Sequence, residues 1–186
     1  YGPTSMIPGH WRSRRREPPT SRERCWRPGE SARMRTTRPW EPRLGTSRGR
    51  ACEFKADLAS GALASIDYWF YSNTTLTAVT GWSNVNGLAS LRYAFNACSG
   101  LVTLDLSGLD PSSLADLFYA FARCTSLTTI YANPDWTLPA GASGMGTFYD
   151  DTHLVGGNGT VYNSSSYGYA RMMIDRTGQV GYLTSI

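Results

Sequence analysis

Residues 51–186 predict an α/β solenoid, and three observations carry that expectation. The spacing Phe-x5-Leu occurs four times, pairing Phe70 with Leu76, Phe95 with Leu101, Phe121 with Leu127 and Phe148 with Leu154. The four leucines lie 25, 26 and 27 residues apart, and a period in the twenties repeated in constant order marks stacked coils. The middle copies also match in detail, Phe95-Asn-Ala-Cys98-Ser-Gly-Leu101 against Phe121-Ala-Arg-Cys124-Thr-Ser-Leu127. Such a stack buries a ladder of like side chains and leaves a broad face free. Function is therefore expected on a surface rather than in a catalytic cleft.

Ahead of the stack, residues 1–50 have a different chemistry. They hold 13 Arg and 4 Glu with no Lys or Asp, a balance of +9, whereas residues 51–186 carry 5 basic and 10 acidic residues, or −5. They also contain 7 of the 10 prolines but one Ile, one Leu and no Val, too little apolar surface to offset the entropy of ordering. Disorder is expected there. The composition fits a passive tail or an out-of-frame translation. The cluster Arg12, Arg14, Arg15, Arg16 beside Trp11 leaves open a nucleic-acid arm, and a targeting peptide fits poorly without an apolar run. The start at Tyr1 suggests a piece of a longer chain.

The coil from Leu101 to Ser126 serves as reference. Leu104 and Leu106 alternate with Thr103 and Asp105, as in a short strand with one buried face. Ser107-Gly108 ends the strand. Asp110-Pro111 then reads as a helix start, with Leu114, Leu117, Phe118 and Phe121 forming an apolar stripe at i, i+3, i+4 and i+7. Neighbouring coils repeat the plan: Leu76, Val79 and Gly81 face inward before a helix bearing Leu88, Leu91 and Phe95, and Leu127, Ile130 and Ala132 follow later. Leu63, Ile66, Trp69 and Phe70 suggest half of an earlier helix. The arm from Pro139 to Phe148 is too glycine-rich for a helix and reads as a loop.

The strand motif Leu-x-x-Leu-x-Leu, the Phe-x-x-Cys-x-x-Leu junction and the tail Leu154-Val-Gly-Gly-Asn-Gly-Thr-Val-Tyr162 resemble the BspA-like leucine-rich-repeat bacterial surface proteins. Tyr169-Ala-Arg171, Ile174-Asp175 and Gly181-Tyr-Leu-Thr184 extend the likeness, as does Ser107-Gly-Leu-Asp110. The resemblance implies a leucine-rich-repeat stack of about three to four coils over 51–153, closed by a short β-rich C-terminal cap over 154–186. It also implies a cell-surface or secreted protein, non-enzymatic, that binds host or microbial surface proteins or glycans.

Candidate residues follow from that plan. Phe70, Phe95, Phe121 and Phe148, with Leu76, Leu101, Leu127 and Leu154, form the expected structural spine. Cys98 and Cys124 take one position in successive coils and read as stacked buried thiols rather than a bridge. No Cys-x-x-Cys pair supports a metal or redox site. Asp150-Asp151-Thr152-His153 reads as solvated turn residues, with Asp151 at the cysteine position. Gly156–Gly159 lacks the residues of a phosphate loop. Neither a catalytic set, a metal site nor a cofactor is expected. Three glycosylation sequons begin at Asn73, Asn158 and Asn163, and a bacterial origin would leave them idle. A row of Thr80, Asp105 and Tyr131, flanked by Thr103 and Thr129, is expected to line the strand face and to supply the binding surface. A structural spacer is the alternative, and nucleic-acid binding through the Arg-rich segment is less favoured. No apolar run reaches the 18 residues of a membrane span.

Overall fold

The computed structural model describes residues 50–54 and 63–186. The expected disorder of residues 1–49 thus falls outside the described residues. Among the described residues there are five short strands: β1 (Ala51–Glu53), β2 (Ala78–Thr80), β3 (Thr103–Asp105), β4 (Thr129–Ala132) and β5 (Leu183–Ser185). β1 pairs with β2 in one parallel sheet, and β3, β4 and β5 form a second, in that order. β1, β2 and β3 bury their middle residue, β4 buries Ile130 and Ala132, and β5 buries Leu183. Val79, Leu104 and Ile130 are at most 2% exposed, because alternation puts every second side chain on the core face.

The α/β solenoid, and with it the leucine-rich-repeat stack, is not the fold. Among the described residues there is no α-helix, only two single 3-10 turns at Trp82–Asn84 and Tyr169–Arg171, and the strands form two small sheets. The segments expected as helices, 63–70, 88–95 and 110–121, run instead as successive tight turns. The reason lies in where their N–H groups go. An α-helix sends each N–H to the carbonyl four residues back. Here alternate N–H groups cross to the following segment: Leu117, Tyr119, Phe121 and Arg123 donate to the carbonyls of Ser143, Met145, Thr147 and Tyr149. Leu91, Tyr93, Phe95 and Ala97 donate likewise to Asp116, Phe118, Ala120 and Ala122. The intervening groups close three-residue turns, as Ala120 does onto Leu117 and Cys124 onto Phe121. Such turns bring Leu114, Leu117 and Phe121 inward just as a helical stripe would. Asp110 caps no helix; its Oδ1 accepts the Ser112 N–H at 2.9 Å in a side-chain turn.

This path needs left-handed backbone two residues before and two residues after each phenylalanine. Tyr68 (φ 60°), Tyr93 (52°) and Tyr119 (49°) precede Phe70, Phe95 and Phe121, and Ser72, Ala97, Arg123 and Asp150 follow the four phenylalanines. Before Phe148 the position is Gly146, at φ 65°.

The four phenylalanines fill the centre. Their rings stack at 5.1, 5.5 and 5.6 Å between centroids, with tilts of 12–18°. Leu76, Leu101, Leu127 and Leu154 are fully buried beside them. The column ends at Tyr182, whose ring meets Phe148 edge-on at 5.3 Å. Chain from 155 onward folds over that end. Its carboxylate staple is Asp175, which accepts the backbone N–H groups of Asn158 (2.8 Å) and Thr160 (3.0 Å) and the Thr160 hydroxyl (2.7 Å).

Candidate functional site

The β3–β4–β5 sheet puts part of the expected strand face together. Asp105 lies opposite Tyr131, and Tyr131 opposite Thr184; Thr103 lies opposite Thr129. Thr103 and Asp105 are exposed, while Thr129 and Tyr131 are half-buried. Thr80 stands apart: it belongs to the other sheet, with Glu53 as its neighbour. The sequence reading missed Glu53 and Thr184, since neither falls in a Phe-x5-Leu unit. Asp105 also has local work, its Oδ1 accepting the Ser107 N–H at 2.9 Å.

Beyond the ends of β3 and β4 the chain borders an open pocket of about 390 Å³, with Asp110, Ser112, Asn133, Asp135 and Thr137 among its walls. The Ser112 backbone N–H, seconded by its hydroxyl, holds the Asp110 carboxyl below its usual range. Strand β4 runs directly into Asn133, so the pocket continues the row that Tyr131 begins. The surface is polar, with carboxylates and hydroxyls to accept and donate hydrogen bonds.

The cysteine column is closed to chemistry. The Cys98 thiol donates to the Phe70 carbonyl at 3.0 Å and the Cys124 thiol to that of Phe95 at 3.1 Å. Both cysteines are free and buried, and burial pushes the Cys98 thiol up to about 12. A buried thiol of that kind is a poor nucleophile. Cys52 is disulfide-bonded.

Asp151, expected as a solvated turn residue, is fully buried at the third step of this column. One carboxyl oxygen accepts the Cys124 N–H at 2.8 Å and the other has no partner. Burial pushes this carboxyl up to about 8, against the pull of that N–H and with help from Asp150. His153 is exposed, with its Nδ1 2.7 Å from the Thr125 carbonyl. Among the described residues no three His, Cys, Asp or Glu side chains group as metal ligands would. The sequon at Asn73 is buried, its Oδ1 taken by Thr75, whereas Asn158 and Asn163 are exposed.

A second surface feature went unread. Tyr68, Tyr93 and Tyr119 stack beside one another at 4.9 and 5.5 Å, with tilts of 18° and 7°. Tyr149 continues the row at 6.1 Å, turned by 57°. Tyr71 and Phe118 flank it. The signal was available: Tyr-x-Phe occurs at 68–70, 93–95 and 119–121, with the same period as the spine.

Comparison of the chain with protein-family models, curated proteins and solved structures finds no match.

Proposed function

We propose that residues 51–186 form a non-enzymatic binding module that recognises a protein or glycan partner at a cell surface or in the secreted medium. The supporting observation is the in-register outward row Asp105, Tyr131, Thr184, which continues into the polar pocket at Asn133 and Asp135. A ring among hydroxyls and a carboxylate supplies large contact area at small entropy cost, with polar groups to fix orientation. Two other readings are separated by the same experiment. Wild type, Tyr131→Ala, Asp105→Ala and a variant with Arg12, Arg14, Arg15 and Arg16 replaced by Ala are applied to arrays of surface proteins and glycans. Loss of binding at Tyr131 and Asp105, with the fold retained, supports the strand-face reading. Binding that depends on the arginines alone and falls steeply with salt indicates a nucleic-acid-type arm. Absence of binding to every array leaves the structural spacer.

A further inference from the structure

The tyrosine row has chemistry that the strand face lacks. Tyr68 and Tyr149 are 42% and 39% exposed, and Tyr93 and Tyr119 are half-buried between them. Tyrosines in the tail use their hydroxyls structurally: Tyr182 donates to the Ser166 carbonyl at 2.9 Å, and Tyr162 accepts the Asp150 N–H at 3.0 Å. The hydroxyls of Tyr68, Tyr93, Tyr119 and Tyr149 make no hydrogen bond to the protein among the described residues. Three of these rings are carried on left-handed backbone, a conformation that disfavours side chains with a Cβ. At the fourth equivalent position the chain has Gly146, where an added Cβ would sit 2.7 Å from the Tyr119 ring. The chain path imposes left-handed backbone here as it does at Ser72, Ala97, Arg123 and Asp150, so what sets Tyr68, Tyr93 and Tyr119 apart is three stacked, partly exposed rings whose polar ends serve nothing inside the protein.

We propose that this row is a second binding site, distinct from the strand face, for a neutral linear glycan. The regular step from ring to ring is about one pyranose unit, so hydroxyls along the row meet successive sugar hydroxyls. The exposed rings at the row's ends supply apolar area for sugar C–H faces. Charge gives a polyanion little to hold. Arg92, beside Tyr93, is already committed: its Nε and Nη2 both contact Asp116 Oδ2 at 2.8 Å, and its guanidinium lies 4.7 Å from the Phe118 centroid. Among the described residues that leaves Arg123, 5.9 Å from the Tyr149 centroid at one end of the row, as a single cation where a polyanion needs several. An added peptide strand is disfavoured as well, because the N–H groups of Leu91, Tyr93 and Phe95 already bond to the next segment.

Calorimetric titration of the full chain with cellohexaose and mannohexaose, with a heparin hexasaccharide as anionic control, tests the proposal. At least one neutral hexasaccharide should bind saturably and with little salt dependence. Tyr93→Phe, which keeps the ring and removes only the hydroxyl, should weaken binding severalfold, and Tyr93→Ala roughly tenfold or more. The Tyr93-dependent part of the binding should persist in Tyr131→Ala, which separates this site from the strand face. Failure of both neutral probes to bind, indifference to Tyr93→Phe, preference for heparin, or loss of the Tyr93-dependent part in Tyr131→Ala would each overturn it.

Discussion

Two aromatic rows run through this molecule two residues apart in sequence, and they differ in almost everything but spacing. Phe70, Phe95, Phe121 and Phe148 are at most 1% exposed and stack at 5.1–5.6 Å. Tyr68, Tyr93 and Tyr119 stack at 4.9 and 5.5 Å, yet remain partly in water. Ring stacking alone contributes on the order of 1 kcal/mol per pair, whereas complete burial of a phenylalanine adds about 2–3 kcal/mol. Stacking is common to both rows, so burial decides which one holds the fold. The tyrosine row keeps its hydroxyls and its outer surface available.

The largest effect should come from the buried row. Phe121 is fully buried, its ring 5.5 Å from that of Phe95 and 5.6 Å from that of Phe148. Phe121→Ala should cost roughly 3–5 kcal/mol in a denaturant titration. A loss under about 1 kcal/mol would remove the distinction between the rows.

Next comes Asp151, which occupies the buried side with a carboxyl held up to about 8. Asp151 ionises near 3.8 when unfolded, so its native environment is fully tolerated below about pH 4. Stability is then lost as pH rises towards 8, and is flat beyond. Asp150, Cys124 and Tyr162 are the titratable groups around it. Asp151→Cys, the residue at the two earlier steps, should stabilise by roughly 2–4 kcal/mol at pH 8 and little at pH 4. Melting curves at both pH values check this, and an equal effect at both would contradict it.

Asp175 gives the opposite slope. Burial pushes its carboxyl up, but the Thr160 hydroxyl and the N–H groups of Thr160, Asn158 and Gly181 outweigh that and hold it below its usual value. Its contribution is present above the ordinary carboxylate range and fades as pH falls through its lowered value. Asp175→Ala should cost about 1–3 kcal/mol at neutral pH, with the loss shrinking in acid. Hydrogen exchange at Asn158 and Thr160 should rise first.

The smallest effect belongs to the ion pair beside the exposed row. Arg92 and Asp116 bond at 2.8 Å, but their side chains are 41% and 30% exposed. Arg92→Ala should cost under about 1 kcal/mol, and less still in high salt. A larger, salt-independent loss would mean that the surface row also supports the fold.

The sequence carried the spacing but not the path between its marks. Alternation around Leu104 and Ile130 located β3 and β4 because a strand's period is short and local. Leu114, Leu117 and Phe121 misled, because a run of three-residue turns delivers the same inward spacing as a helix. Nothing in Ala97, Tyr119 or Arg123 signals left-handed backbone, which ordinarily falls to glycine or asparagine. On the strand face, Asp105 and Tyr131 were legible as neighbours, while Thr184 was not, because β5 arrives from the tail. Asp151 was placed at the cysteine position, but its burial follows from the column and not from its own residue type.

Tyr93 and Phe95 offer the most direct test, since they are separated by a single residue and share both neighbouring segments. Thermal unfolding of Tyr93→Ala and Phe95→Ala is measured side by side. Phe95→Ala should lower the melting temperature by roughly 10 °C or more, and Tyr93→Ala by no more than about a third of that. Equal losses, or a larger one at Tyr93, would contradict the claim that the buried row holds the fold while the exposed row is left free to bind.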